Sequence, residues 1–156
     1  MDVTQLDDGF KIGFHTEWSK HDEYVENCFI RFETPSGTEE IRPHGWVGWR
    51  NAQAFHVDAD AKITHLYDCT CRETEDGVEG EFESMQNGDL DLEVEGHEDL
   101  PGHNLAREVS EERDGIIVYV AMEVSDFGFG ETNFEYFFAD VFQNGERVES
   151  HESGYM

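Results

Sequence analysis

The chain has 156 residues, the size of one domain with one core, and twelve phenylalanines within a hydrophobic fraction of 37% make a packed interior attainable. It carries 37 Asp and Glu against 10 Lys and Arg, a net charge of −27. With no basic cluster to displace counterions from phosphate, direct nucleic-acid binding and docking on an anionic membrane are not expected.

Period-two alternation dominates from the start of the chain. The opening residues 1–8 have neither a basic start nor an apolar stretch, so no secretion signal is expected. Phe10, Ile12, Phe14, Thr16 and Trp18 share one strand face, opposite Lys11, His15 and Glu17. Cys28, Ile30 and Phe32 form a second such face, Pro35-Ser36-Gly37 makes a turn, and Glu40-Ile41-Arg42 returns as a strand.

The next ten residues, 42–51, gather Arg42, Trp46, Trp49 and Arg50 with Pro43. Trp and Arg are the types enriched at binding hot spots. These four are the interface candidates. Two other readings stay open: the indoles plug one end of the fold, or they stack on a sugar or small ligand.

Phe55, Val57, Ala59, Ala61 and Ile63 alternate with polar neighbours and read as one strand, continued by Leu66 to Arg72. His65, Cys69 and Cys71 share a parity there, but zinc wants four ligands and wider cysteine spacing, so no metal is expected. Three cysteines fit free thiols better than a disulfide framework. Asp89, Asp91, Glu93 and Glu95 alternate along a strand and read as a solvated face rather than a calcium loop. Asp58 and Asp60 read the same way. A three-residue loop, Gln86-Asn87-Gly88, keeps Phe82 opposite Leu92.

One short helix is expected within residues 100–114, capped by Asn104 or Asp99, with Leu105 and Val109 on one face and Gly115 beyond its end. Two long strands follow. Ile117, Tyr119 and Ala121 back onto Ile116, Val118, Val120 and Met122; Phe134, Tyr136, Phe138 and Phe142 back onto Phe137, Ala139 and Val141. Strands apolar on both faces need cover on both sides. A second sheet covers one; the helix, a loop or a neighbouring subunit covers the other, and three helical turns are short for the task. Asn144-Gly145 then turns into a strand that sets Val141 opposite Val148.

The expected fold is mainly β: an antiparallel β-sandwich or flattened barrel, one domain over residues 1–156, with one short helix. No nucleophile elbow, phosphate loop, dinucleotide fingerprint or His-Glu-x-x-His pairing occurs, so the chain is expected to be non-enzymatic and without cofactors.

The acids are dispersed along the chain and only Lys11, Lys20 and Lys62 are lysines. This composition resembles that of proteins of haloarchaea and their viruses. Molar salt shrinks the Debye length to roughly 3 Å, so neighbouring carboxylates stop repelling one another. The outline of a small β-sandwich with one flanking helix resembles tail-tube subunits. The resemblance implies a virion component of a haloarchaeal tailed virus (tail tube, head–tail connector or decoration protein), found in the virion or the cytoplasm of a halophilic host. Its partners would be copies of itself and other structural proteins. The alternatives are an acidic mimic of nucleic acid that regulates another protein, and a small ligand- or sugar-binding module centred on Trp46 and Trp49.

Overall fold

The computed structural model describes residues 3–15, 19–20, 29–42, 50–74, 77–82, 100, 102–128 and 131–154. They form a mainly β fold of two antiparallel sheets and one short helix. The smaller sheet has the order β1 (Val3–Gln5), β2 (Lys11–His15), β4 (Phe29–Thr34), β5 (Gly37–Ile41). The larger runs β11 (Glu146–Gly154), β10 (Glu131–Gln143), β9 (Ile116–Gly128), β6 (Arg50–Val57), β7 (Ile63–Thr74), β8 (Gly77–Phe82), with the two-residue β3 (Ser19–Lys20) also pairing β10. Helix α1 spans His103–Glu112.

The sheets pack face to face through residues that alternation assigns inward. Phe10, Ile12, Ile30, Phe32 and Ile41 from the smaller sheet meet Val57, Ile116, Val118, Val120, Met122, Phe137, Ala139 and Val141 from the larger. The opposite face of the larger sheet buries a second cluster: Ala52, Ala54, Tyr67, Cys69, Ile117, Tyr119, Ala121, Phe138 and Phe142, under Leu100 and Ala106. The parity of Ile116–Met122 and of Phe137–Phe142 is therefore as expected; before it the alternation breaks, because Phe134 pairs with Val124 but Tyr136 with Glu123, which leaves Glu135 as an extra residue and takes Phe134 out of register with Tyr136, Phe138 and Phe142. Their outer face is covered from within the chain by α1 and Leu100, and every residue from Ile116 to Met122 is buried without a neighbouring subunit.

Four further local readings need correction. The alternating run 55–63 is not one strand. Backbone bonds link Asp58 and Lys62 across a tight turn, and β7 starts at Ile63 opposite Val57. Asp58 makes that turn: its Oδ1 accepts from the backbone N–H groups of Asp60 and Lys62, both at 2.9 Å. Ala61 takes a left-handed φ of 63°. With neither Gly nor Pro present, the alternation of Ala59 and Ala61 masked the turn.

The helix begins at Gly102, not at Asn104 or Asp99. Gly102 has φ 82°, and a Cβ there would lie 2.6 Å from the Tyr67 ring, so glycine lets the helix start rest on that ring. The helix turns His103, Ala106 and Ser110 inward, positions three and four apart, while Leu105 is 38% exposed. The aromatic sheet face fills the volume, so the helix contributes small and polar groups.

Two bulges, on β7 and β11, alter the remaining readings. Ala54 pairs with Tyr67 but Phe55 with His65, which leaves Leu66 as the extra residue. His65 therefore stacks on Phe55 at 5.0 Å towards the sandwich side, while Cys69 lies in the outer cluster. The shared parity of His65 and Cys69 does not survive. At the β10–β11 hairpin the two-residue turn is as expected, with Asn144 and Gly145 at φ 56° and 82°. Val141, however, pairs with Glu149 and Phe142 with Arg147, so Val148 is bulged out. The Gln86-Asn87-Gly88 loop and the stripe Asp89–Glu95 lie outside the described residues.

Candidate functional site: a buried carboxylate under the helix

The Val148 bulge decides what meets Asp140. A regular ladder from the Asn144-Gly145 turn would put Glu149 beside it, carboxylate against carboxylate. The bulge brings Ser150 opposite Asp140 instead. Ser150 Oγ donates to Asp140 Oδ1 at 2.6 Å, and His103 Nε2 lies 2.7 Å from Oδ2. Arg147 Nη1 stands 3.7 Å from the same oxygen with its side chain half in solvent. Asp140 itself is 0% exposed. A buried charge needs this density of partners.

His103 is the first helical residue, so its ring joins α1 to β10. The ring stands edge-on to Tyr119 at 5.2 Å and to Phe142 at 5.1 Å. Towards an ionised carboxylate, Nε2 must carry the proton. Tyr119 pairs with Asp140 on the neighbouring strand. Burial pushes its hydroxyl well above the usual phenol range, with Tyr67, Cys69 and Asp140 adding to the same direction. The result is one row across three strands, Tyr119–Asp140–Ser150, roofed by His103.

These are the residue types of a nucleophilic triad in a different arrangement. A relay needs imidazole against the hydroxyl and the carboxylate behind the imidazole. Here the hydroxyl and the imidazole both face the carboxylate, so Ser150 directs its proton to Asp140 and not to the imidazole. The arrangement ties helix to sheet.

Two further ties hold the same region. Ser110 Oγ donates to the carbonyl of Arg107 at 2.7 Å and accepts from Gly145 N–H at 3.0 Å, fixing α1 to the β10–β11 turn. His56 Nε2 donates to the Asp114 carbonyl at 2.7 Å, fixing the helix exit to β6. Beside the same turn, at the last residue of β10, the Gln143 amide clamps Asp7: Nε2 donates to the Asp7 carbonyl at 2.9 Å and Oε1 accepts from the Asp7 N–H at 3.1 Å. That pair couples the N-terminal turn to the larger sheet.

Of the four interface candidates, Trp46 and Trp49 lie outside the described residues, between β5 and β6. Arg42 leaves β5 exposed, with Nη2 3.2 Å from Glu40, which also binds Arg31 at 2.7 Å. Arg31 chiefly, with Arg42, holds the Glu40 carboxyl below its usual range. Arg50 opens β6, its Nε 3.5 Å from Glu123. Each arginine thus has a carboxylate partner within its own chain, on different sheets, and the described contacts do not bring the two together. Cys69 is buried and forms no disulfide. Among the described residues, no group of three or more His, Cys, Asp or Glu side chains is placed to hold a metal ion, and no helix is long and apolar enough to cross a membrane.

His103, Asp140, Ser150 and Arg147 were not singled out from sequence. One signal was present: Asp140 interrupts an otherwise apolar run on the Phe138/Phe142 face. Among 37 acids, a single misplaced one does not stand out. Comparisons with protein-family models, curated proteins and solved structures return no match for this chain.

Proposed function

We propose that this protein is a non-enzymatic structural subunit of a homo-oligomeric assembly adapted to molar salt, a virion component such as the tail tube, head–tail connector or decoration protein of a haloarchaeal virus. The observation that supports the non-catalytic part is the closure of the cluster of catalytic residue types found among the described residues. Asp140 is fully buried with both oxygens engaged. The charge of −27, with three lysines, carries the salt part.

The assembly part rests on two features. β1, β5 and β11 stand at the ends of the described strand orders, and a sheet edge is a template for another chain. In β11 the edge bears Glu146, Glu149 and Glu152. In dilute buffer those charges oppose pairing; at about 1 M salt and above they are screened beyond roughly 3 Å. The second feature is the concentration of Trp46 and Trp49 beside Arg42 and Arg50, residue types that dominate interface energetics. Cover for the outer face of β9 and β10 is not part of the case, since α1 provides it.

The test is the Trp46→Ala/Trp49→Ala double variant against the wild type, by light scattering in about 3 M KCl. Wild-type oligomers and a lower-mass variant support the reading. A double variant that assembles equally well removes the tryptophans from the interface. A monomeric wild type that captures a nucleic-acid-binding protein favours the mimic; one that binds oligosaccharide through Trp46 and Trp49 favours the binding module.

A further inference from the structure

The β10–β11 turn places an Asn-Gly dipeptide where its chemistry is controlled by a different element. Asn-Gly is the dipeptide most open to intramolecular imide formation, because glycine puts no side chain in the path of attack. The Gly145 nitrogen loses its proton to solvent base and attacks the Asn144 side-chain carbonyl carbon. The C–N bond to the side-chain amide breaks and ammonia leaves with a proton from water. Water then opens the five-membered imide to aspartate or isoaspartate. The net change is one water consumed, one ammonium released and one negative charge gained on the chain, with no other co-reactant.

Asn144 is exposed at the tip of the turn, so solvent reaches the electrophile. The nucleophile is differently placed. Gly145 N–H donates to Ser110 Oγ at 3.0 Å. The Ser110 hydroxyl proton is directed at the Arg107 carbonyl at 2.7 Å, so the oxygen turns a lone pair to Gly145. Ser110 is buried on the inner face of α1. A Cβ on Gly145 would sit 2.6 Å from Glu111 Cγ, so the helix lies directly against the turn. Both Asn144 and Gly145 hold the left-handed conformation that the two-residue turn requires. For attack, the nitrogen must lose a proton it is sharing and the turn must leave this geometry.

We infer that Asn144–Gly145 is a deamidation site that helix α1 keeps silent through Ser110. The consequence of reaction is structural. Isoaspartate adds a methylene to the backbone at the tightest point of the hairpin. The hairpin together with its Val148 bulge sets the register that brings Ser150, rather than Glu149, against buried Asp140. The modification therefore records, irreversibly, time spent with α1 undocked.

The test is peptide mapping by mass, with isoaspartate detection at position 144, on protein aged in about 3 M KCl at mildly alkaline pH. Three samples are compared: folded wild type, urea-unfolded wild type and folded Ser110→Ala. The folded wild type is expected to react far more slowly than the unfolded chain. Ser110→Ala is expected to react about tenfold faster than the folded wild type, the change implied by losing one buried hydrogen bond. Asn87–Gly88 in the unfolded sample is the internal reference for the free dipeptide. A folded Ser110→Ala at the wild-type rate, or a folded wild type at the unfolded rate, overturns the inference. If Ser110→Ala does not fold, amide exchange at Gly145 in the wild type decides. A protected amide with slow reaction at Asn144 supports gating, and a freely exchanging amide overturns it.

Discussion

Asp140 shows how one residue sets the local chain path. A carboxylate on the Phe138/Phe142 face is tolerable only with donors on both oxygens, and the donors come from α1 and β11. Asp140→Ala leaves His103 buried without its acceptor and should cost about 3 kcal/mol, the scale of hydrogen bonds to a charged group. Urea unfolding in high salt measures it, and a loss under about 0.5 kcal/mol, the range of neutral surface changes, would show the cluster to be incidental. Gly115 is a stricter case. It has φ 102°, and a Cβ would lie 2.3 Å from the Val57 carbonyl oxygen. Gly115→Ala therefore meets both conformational strain and a backbone clash, and a loss of about 3 kcal/mol or more is expected in the same assay. His151 supplies a pH dependence. It stacks on Phe14 at 4.8 Å at the edge of the sandwich, and burial lowers its pKa, against a smaller opposite effect from Glu149. A histidine with a lowered folded pKa binds its proton more readily when unfolded. Its contribution is therefore complete above the unfolded value and declines as pH falls through the interval below it. His151→Phe should flatten the stability profile on the acid side of that value; an unchanged slope would assign the acid loss to other groups.

At the scale of elements, α1 is held more by polar ties than by apolar area. It buries His103, Ala106 and Ser110 and leaves Leu105 partly exposed. His103→Ala should loosen the helix ahead of the sheet, so backbone amides within 106–110 would exchange faster while those of 117–121 stay protected. Equal acceleration in both would mean that helix and sheet open as one unit. The strands were legible where apolar parity carried the information: Ile116 to Met122 divide between two clusters as alternation predicts. What alternation did not show was where the chain leaves it. The 58–62 turn depends on one Asp58 carboxylate in place of glycine. The Leu66 and Val148 bulges depend on tertiary partners, the latter on keeping Glu149 away from Asp140. The helix start depends on the Tyr67 ring beneath Gly102, which no local capping pattern encodes. The carboxylate cluster was illegible for the same reason, since its members come from α1, β10 and β11 and meet only after the sheet forms.

For the whole molecule, charge is the governing term. A net −27 on 156 residues disfavours a compact state in dilute buffer, and screening at molar salt removes that repulsion. Circular dichroism should lose strand signal between about 3 M and 0.1 M KCl, and a thermal midpoint unchanged over that range would refute the proposed adaptation to salt. The described fold already buries both faces of its central strands, so the proposed assembly draws on sheet edges and on the residue types of the Arg42–Arg50 segment rather than on an unfinished core. The most direct test of that account is sedimentation velocity of the wild-type protein in about 3 M KCl, where edge carboxylates are screened. The account predicts a discrete closed oligomer or a filament; a single monomeric boundary across the accessible concentration range would contradict it.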